Sequence, residues 1–496
     1  MPMHAAESPI AGADLAALDA GNNVPWYKQP HLVRLNVRIA GLTLFASAVG
    51  YDGSLLNGLQ SLPLWQEFMD HPTGEWSGFI NIVYWIALGL SCPVGSWICN
   101  RFGRRVTIAL AYIPLFAGAA LQAAAQTQAQ WIIGRALMGV PTAFYAMSVP
   151  LLITEIAHPA HRSVITALVN TTFFIGGIIA AWSCFGVRNY TTFWSWRIPC
   201  LLQVALPLAG LPALLSSPES PRWMISKGDH DRARQTIAQY HVGNGASQDL
   251  VDFEMAEMTS AIQAESQAKK STSYLTMVST PANRRRFFIT VSLSFYSQWI
   301  GNGVVSYYLS DVLKTVNITS VTDQTIIMGC LQIWSFICAI AGALFVERAG
   351  RRTLFLLSCA IMLMSFVVIT ALSGSFAKSG SSSVGKAMIP FIYVFNAGYG
   401  IAVTPLQVAY PLEIWPYELR SRGIGLAWMV MVTAIIFNVF VNPIALAAIA
   451  WKFYTVFVVV LVAYGLTVYF FYPETKGHTL EEMATIFGDN PESKII

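Results

Sequence analysis

The sequence predicts an all-α membrane protein in which twelve transmembrane helices form two pseudo-symmetric six-helix bundles, joined by a helical cytoplasmic loop. Three observations predict this fold. Of the 496 residues, 55% are hydrophobic and 11% are charged, whereas a soluble chain carries roughly 25% charged residues. Twelve windows reach the length of about 20 apolar residues that a spanning helix needs, and two motifs recur in both halves. This composition excludes a soluble enzyme, a disordered chain and a fibrous repeat.

The apolar windows give the order of the elements. The predicted spans are 37–58, 77–99, 106–126, 130–152, 164–186, 197–216, 287–309, 325–346, 353–373, 387–411, 423–445 and 451–472. The domains follow as a cytoplasmic tail at 1–36, a bundle at 37–216, a linker at 217–286, a bundle at 287–472 and a cytoplasmic tail at 473–496. The polar linker has helical composition, which predicts amphipathic helices on the membrane surface.

Lysine and arginine predict the orientation, because cytoplasmic loops of membrane proteins are enriched in them. With both termini in the cytoplasm, 23 of these residues lie inside and 6 outside. The sequons that begin at Asn189 and Asn317 then face outward, where glycosylation takes place. The prediction is a multi-pass protein of the plasma membrane with two glycosylation sites.

Two motifs occur once in each half. The segment Asn100-Arg-Phe-Gly-Arg-Arg105 returns 247 residues later as Glu347-Arg-Ala-Gly-Arg-Arg352. A glutamate seven residues before an arginine also occurs twice, as Glu155 with Arg162 and as Glu413 with Arg420. Matched motifs at nearly one offset indicate duplicated halves, with a binding site between them near the membrane midplane.

These motifs identify a family. Together with Pro218-Glu-Ser-Pro-Arg-Trp223 and Pro473-Glu-Thr-Lys-Gly477, the chain resembles the sugar porters of the major facilitator superfamily over nearly its whole length. The segments Gly50–Ser54 and Ser297–Gly303 resemble the fungal branch with lactose and cellodextrin permeases. The resemblance implies the twelve-helix fold of that superfamily and transport by alternating access.

The charged residues of the motifs are predicted to form a cytoplasmic latch. Carboxylates that face the arginine loops can bridge them to neighbouring helix ends, and the resemblance implies that this network closes the cytoplasmic side in the outward-open state. The alternative is that the charges only set the topology. The predicted latch comprises Arg101, Arg104, Arg105, Glu155, Arg162, Glu219, Arg222, Glu347, Arg348, Arg351, Arg352, Glu413, Arg420 and Glu474.

Asp52 and Arg135 are ionisable residues deep in the apolar windows. Each costs about 2.5–3.5 kcal/mol at a helix centre on insertion scales, so each predicts a function and a partner. Counted along their helices, both lie in the outer half of the membrane. The resemblance implies that Asp52 takes the proton of a symporter and that Arg135 modulates it. The alternative is a structural ion pair.

Amide side chains at mid-depth are suited to a neutral sugar, since amides both donate and accept hydrogen bonds. The resemblance places the sugar ligands at or near Asn170, Gln298, Asn302, Gln332 and Asn438, and an outer gate at Tyr307 and Tyr308. For any one amide the alternative is a hydrogen bond between helices. Ser297, Gly303, Gly177 and Val408 depart from the family pattern, and their smaller side chains favour a roomier pocket.

The predicted function is proton-coupled import of a neutral mono- or disaccharide. The alternatives are a facilitative carrier of a sugar, polyol or specialised metabolite, and a transporter-like sugar sensor, which the short C-terminal tail disfavours. We expect sugar, protons and the lipid bilayer as partners, and a functional monomer. No enzyme motif, cofactor or metal site is expected, and the net charge of +4 gives no indication of nucleic-acid binding.

Overall fold

The computed structural model describes residues 26–242, 248–271, 273–476 and 480–488. Over these ranges the predicted all-helical, two-bundle architecture is confirmed. The spans of the first half are span 1, Pro30–Leu59; span 2, Gly74–Phe102; span 3, Arg104–Leu110 with Tyr112–Ala124; span 4, Gln128–Ile156; span 5, Pro159–Val187; and span 6, Trp194–Leu202 with Ala205–Ser216.

The second half repeats this arrangement. Its spans are span 7, Pro281–Trp299 with Asn302–Tyr307 and Leu309–Thr315; span 8, Val321–Ala349; span 9, Arg351–Ser379; span 10, Ile389–Ile414; span 11, Tyr417–Ile449; and span 12, Tyr454–Phe471. Nine helical runs within the described ranges are long and apolar enough to cross a membrane, and the last of them, Glu418–Phe471, contains spans 11 and 12. Span 5 contributes a shorter apolar stretch, Thr171–Val187.

Shorter elements connect the spans and form the linker. They are the turns Trp26–Lys28, Tyr274–Val278 and Ala450–Phe453, the helices Pro63–Phe68, Ser382–Lys386, Pro221–Ser226, His230–Ile237, Gln248–Ser271 and Leu480–Phe487, and the π-helical turn Ala238–Val242. The linker docks on the ends of spans 2 and 4, where the Trp223 indole donates to the Asn100 carbonyl over 3.1 Å. We call this end of the molecule the linker end and the opposite end the far end.

The two halves meet through symmetry-related helix pairs. Span 2 packs against span 11, and span 5 packs against span 8. Within the first half, spans 1 and 5 approach backbone to backbone, because a Cβ at Gly50 would collide with the Phe173 carbonyl and one at Gly176 with the Ser47 carbonyl. Small residues allow this kind of close packing between membrane helices.

Span 7 is broken in the middle. The sequence predicts one window at 287–309, but the first helix ends at Trp299 and the next begins at Asn302. Gly301 between them has a φ of 102°, and the ring of Phe366 occupies the space that a Cβ would need. The break places Gln298 and Asn302 on either side of a discontinuity, a feature that transporter binding sites share.

A buried histidine joins the linker to span 4. His241 Nδ1 lies 2.8 Å from the Glu254 carboxyl group of the linker, and His241 Nε2 lies 3.1 Å from the Ile156 carbonyl at the end of span 4. The two side chains are almost fully buried, so both hydrogen bonds are shielded from water.

Replacing His241 with leucine should destabilise the protein strongly. Removing one partner of a buried hydrogen-bonded pair leaves the other polar group unsatisfied and costs about 1–3 kcal/mol, which a lowered unfolding temperature in detergent would report. The control is Arg222→Ala, since the exposed Arg222–Glu265 pair is expected to contribute less than about 1 kcal/mol. The double variant with Glu254→Leu should recover most of the loss. Equal effects of the His241 and Arg222 variants would contradict the assigned role.

Candidate functional site

Asp52 and Arg135 lie together inside the first half, where each is 3% exposed. Their contact differs from the predicted pairing of two charges. Arg135 Nη2 donates to the main-chain carbonyl of Asp52 over 2.9 Å, and the guanidinium lies 4.4 Å from the ring centroid of Tyr84. The arginine is therefore stabilised by a carbonyl and an aromatic face, and the Asp52 carboxyl group has other partners.

The Thr142 hydroxyl is the described contact of that carboxyl group. Thr142 Oγ1 lies 3.2 Å from Asp52 Oδ2 and 2.9 Å from the Met138 carbonyl, and it accepts from the Tyr84 hydroxyl over 3.2 Å. Asp52 Oδ1 is buried with no hydrogen-bond partner among the described residues. Tyr84 and Thr142 carry no sequence motif, which is why sequence reasoning missed them.

A polar contact between spans 1 and 8 joins the two halves. Gln332 Nε2 of span 8 donates to Ser54 Oγ of span 1 over 3.3 Å. A Cβ at Gly177 of span 5 would lie 2.9 Å from Gln332 Oε1 and 3.0 Å from Ser54 Oγ. The glycine that departs from the family pattern thus makes room for this contact. The side chain of Asn170, predicted as a sugar ligand on the same span, lies outside the described residues.

The amides of the second half surround the break in span 7. Gln298 Nε2 donates to Ser297 Oγ over 3.3 Å, and Asn302 Oδ1 accepts from the Ser306 hydroxyl. Asn438 Oδ1 accepts from Asn442 Nδ2 over 2.8 Å. The structure thus brings Gln298 and Asn302 together on span 7, with Asn438 on the span packed against it.

Tight packing on span 11 fixes the position of Asn438. A Cβ at Gly303 would collide with Asn438 Oδ1, so the glycine allows span 7 to pack closely on span 11. Asn438 Nδ2 and Asn442 Oδ1 are buried without partners among the described residues. A donor and an acceptor are therefore available next to the break.

The two tyrosines predicted as an outer gate have different surroundings. Tyr307 reaches the first half, where its ring lies edge-on to Trp85 at a centroid distance of 5.7 Å. Tyr308 is fully buried and donates to the Val439 carbonyl over 2.6 Å. Tyr307 is thus placed between the halves, whereas Tyr308 is packed inside the second half, where its hydroxyl fastens span 7 to span 11. Trp85 is a partner that the sequence did not indicate.

Further contacts between the halves lie at the far end. Lys314 Nζ approaches the Gln60 carbonyl at 3.5 Å, and Arg188 Nε donates to Thr322 Oγ1 over 3.2 Å. The predicted glycosylation residues Asn189 and Asn317 are exposed at this same end.

The predicted latch of the first half is a compact network at the linker end. Arg104 donates to Glu155 through Nε and Nη2 over 2.9 and 3.0 Å. The Glu219 carboxylate accepts from the backbone N–H groups of Arg104 and Arg105, both over 3.1 Å. Glu219 therefore caps the first turn of span 3, whose N–H groups have no partner within the helix.

The second half repeats this network. Arg351 Nη2 and Nε donate to Glu413 over 3.0 and 3.2 Å, and Glu474 accepts from the backbone N–H groups of Arg351 and Arg352 over 2.7 and 3.0 Å. The ion pairs of these two networks thus join helices within one half. That these residues close the cytoplasmic side in the outward-open state stays a prediction.

The other predicted latch residues differ in their exposure and contacts. Arg101 is exposed, and Arg162 and Arg420 are partly buried. Arg222 donates to Glu265 over 3.1 Å and so bonds within the linker. The side chains of Glu347 and Arg348 lie outside the described residues.

The pKa values of the two capping glutamates, Glu219 and Glu474, are shifted in opposite directions. Burial raises the pKa of Glu219, and the backbone N–H groups of Ser220, Arg105 and Arg104 offset only part of this. Burial acts in the same direction on Glu474, but the backbone N–H groups of Lys476, Arg351, Arg352 and Thr475 outweigh it and lower the pKa. Hydrogen bonds to the charged form have this effect.

The fold and the site define a membrane carrier with two helical halves and a polar interface between them. Residues 39–487 match the family described as "Sugar (and other) transporter", and the chain belongs to this family of the major facilitator superfamily. The family resemblance predicted from the motifs is confirmed.

Individual proteins show the same similarity. The chain is 28% identical to the sugar transporter STL1 of Saccharomyces cerevisiae over 475 residues, which cover 92% of this chain and 81% of that protein. It is 26% identical to the MFS-type transporter criB of Aspergillus cristatus, with coverages of 91% and 92%. The inward-open xylose transporter XylE of E. coli superposes with a TM-score of 0.74 at 19% identity, covering 91% of this chain and 99% of XylE.

Replacing Glu474 with glutamine should destabilise the protein more than the matched change Glu219→Gln. The lowered pKa of Glu474 means that its ionised form stabilises the fold above about pH 4.5, and that this contribution is lost as the pH falls further. The raised pKa of Glu219 means that its ionised form contributes less. We expect a loss of about 1–2 kcal/mol for Glu474→Gln near neutral pH, and a smaller one for Glu219→Gln. Unfolding temperatures measured from pH 3.5 to 7 would test the order, and a reversed order at pH 7 would contradict it.

Proposed function

We propose that this protein is a proton-coupled symporter that imports a neutral polyhydroxylated solute, a mono- or disaccharide, by alternating access. It would act as a monomer in the plasma membrane with both termini in the cytoplasm. The observation that carries the proposal is the buried carboxyl group of Asp52, which lies next to an arginine that bonds to its main chain. A proton on this carboxyl group is the simplest way to remove its buried negative charge.

The surroundings of the Asp52 carboxyl group support a protonated form in this state. The Thr142 hydroxyl has one hydrogen, and it faces both the Met138 carbonyl over 2.9 Å and Asp52 Oδ2 over 3.2 Å. Asp52 Oδ1 has no hydrogen-bond partner among the described residues. A buried carboxylate with one shared donor is poorly stabilised, so a proton on this group would remove an unfavourable charge.

The membrane potential supplies the energy for this mechanism. A neutral sugar that moves with one proton carries one positive charge inward, which gains about 2.3 kcal/mol per 100 mV. Asp52 would release the proton when a rearrangement of spans 1 and 4 brings the Arg135 guanidinium to the carboxylate. The exposed asparagines of the sequons and the excess of Lys and Arg at the linker end support the proposed orientation.

Contacts at the two ends support an inward-facing state. The hydrogen bonds and the ring contact described between the halves involve Gln60, Arg188, Trp85 and Ser54 of the first half, in the middle and at the far end. At the linker end the described ion pairs stay within one half. A carrier that is closed on the outer side and open on the inner side has this distribution of contacts.

Asp52→Asn should abolish accumulation and keep exchange, because the amide cannot take up a proton while the solute site is intact. The measurement is uptake of labelled glucose, lactose and cellobiose into transport-deficient cells, with and without an uncoupler, followed by exchange in preloaded cells. Wild type should accumulate one of these sugars, and the uncoupler should collapse the gradient. The matched control is Asp70→Asn, an exposed residue in a loop. Accumulation by wild type that resists the uncoupler would exclude proton coupling, and uptake that only equilibrates the sugar would establish the facilitative alternative. Normal accumulation by Asp52→Asn would exclude the assigned role.

A further inference from the structure

Four histidines meet where the linker docks on the first half. The ring of His158, which lies between spans 4 and 5, is 5.5 Å from the ring of His241 and 5.6 Å from the ring of His161, measured between centroids. His31 of span 1 lies close to the main chain and the ring of His241. We call these four residues the histidine cluster. Neither the sequence motifs nor the proposed transport mechanism assigns them a role.

The cluster is largely shielded from water. His158 and His241 are buried, and His31 and His161 are partly buried. The ring atoms His31 Nε2 and His161 Nδ1 are buried without hydrogen-bond partners among the described residues. A neutral imidazole can take up one proton, and histidine is the side chain whose charge changes between about pH 5 and 8. The cluster therefore concentrates several groups that respond to the pH of a cell.

The cluster can balance few protons. Glu254 is its buried carboxyl group and faces His241. Two cations lie beside it, since the Arg38 guanidinium of span 1 is 5.0 Å from the centroid of the Tyr240 ring, and Arg162 of span 5 is partly buried. Glu254 would balance one protonated histidine, whereas a second would add positive charge next to the two arginines.

The remaining charges of the surrounding elements are engaged elsewhere or exposed. Glu155 at the end of span 4 bonds to Arg104, and Asp252 of the linker bonds to Arg234. The exposed charged residues are Lys28, Arg34, Asp249 and Glu257. Water screens exposed charges far more strongly than buried ones, so the buried groups decide the charge balance of the cluster.

The linker that carries His241 and Glu254 touches both halves. Its helix Gln248–Ser271 packs against span 11 of the second half, and its turn Ala238–Val242 packs against span 1. Loss of the docking at the histidine cluster would therefore remove a link between the halves at the linker end. In an inward-facing carrier such a link limits how far the halves separate, so its loss favours the inward-open state and slows the return step.

We propose that the histidine cluster is a regulatory proton site on the cytoplasmic side, where acidification adds positive charge, releases the linker from the end of span 4 and slows transport. The released state then binds more protons than the docked state, so docking is present at high pH and is lost as the pH falls. For a carrier that imports protons, this response is negative feedback. The inference goes beyond the proposed function and uses only its orientation, with the linker end in the cytoplasm.

Hydrogen exchange of the purified full chain measures the docking directly. Backbone exchange is compared at pH 7.5 and 5.5, with rates corrected for their intrinsic pH dependence. In wild type, the helix Gln248–Ser271 should exchange at least about tenfold faster at pH 5.5, because release that takes up one proton is favoured by up to about tenfold per pH unit. The double variant His158→Gln with His161→Gln should lose most of this response, since an amide takes up no proton.

Two further variants control the experiment. His230→Gln changes an exposed histidine of the same linker outside the cluster, and it should respond to pH as wild type does. His161→Gln alone, at a partly buried position, should reduce the response even where the double variant is unstable. Wild-type exchange that is unchanged or slower at pH 5.5 would overturn the proton site, and so would an equal response of wild type and His161→Gln.

Sugar uptake tests the consequence for transport. A permeant weak acid lowers the cytoplasmic pH of transport-deficient cells at constant external pH, so wild type and the double variant experience the same loss of proton gradient. Uptake by wild type should slow more than uptake by the variant, and equal slowing would show that linker docking does not control transport. Wild type that transports no neutral sugar would refute the proposed function, whereas hydrogen exchange would still decide whether the cluster is a proton site.

Discussion

The interior of a membrane offers no water, so each polar group that lies there must find its partner within the protein. The helices satisfy the backbone except at their ends, and at the linker end two glutamates complete spans 3 and 9 by capping their first N–H groups. Many buried side-chain atoms still have no hydrogen-bond partner among the described residues, and Asp52 Oδ1 and Asn438 Nδ2 are among them. Under the proposed function, a proton and the solute are the ligands that would complete these two atoms.

Duplication explains why the two halves share one capping arrangement. Glu219 with Arg104 and Glu155 has the same arrangement as Glu474 with Arg351 and Glu413. A repeated six-helix unit needs the same cap in the same place, because the helix start that it completes is also repeated. The surroundings are not repeated, since Glu219 is more deeply buried and Glu474 accepts from one more backbone N–H group. These differences account for the opposite pKa shifts of the two glutamates.

The sequence predicted what depends on composition and repetition. Apolar windows gave twelve spans, and the repeated motifs indicated that carboxylates face the arginine loops, as Glu155 faces Arg104 and Glu413 faces Arg351. It could not predict that Arg135 would bond to the main-chain carbonyl of Asp52, since that choice depends on how spans 1 and 4 are rotated about their axes. Averaged hydropathy also cannot reveal a break such as Gly301, because a window measures apolarity and not φ.

The geometry of span 1 shows how the proton site and the solute site would act on each other. Asp52 and Ser54 are two residues apart on one helix, so their side chains point to nearly opposite faces. Asp52 faces span 4 inside its own half, where it contacts Thr142, and Ser54 faces the other half, where it accepts from Gln332. A rotation of span 1 that brings the Asp52 carboxylate to Arg135 must also move Ser54 away from Gln332. Release of the proton and weakening of a contact between the halves are then two consequences of one motion, which is the physical requirement for coupling.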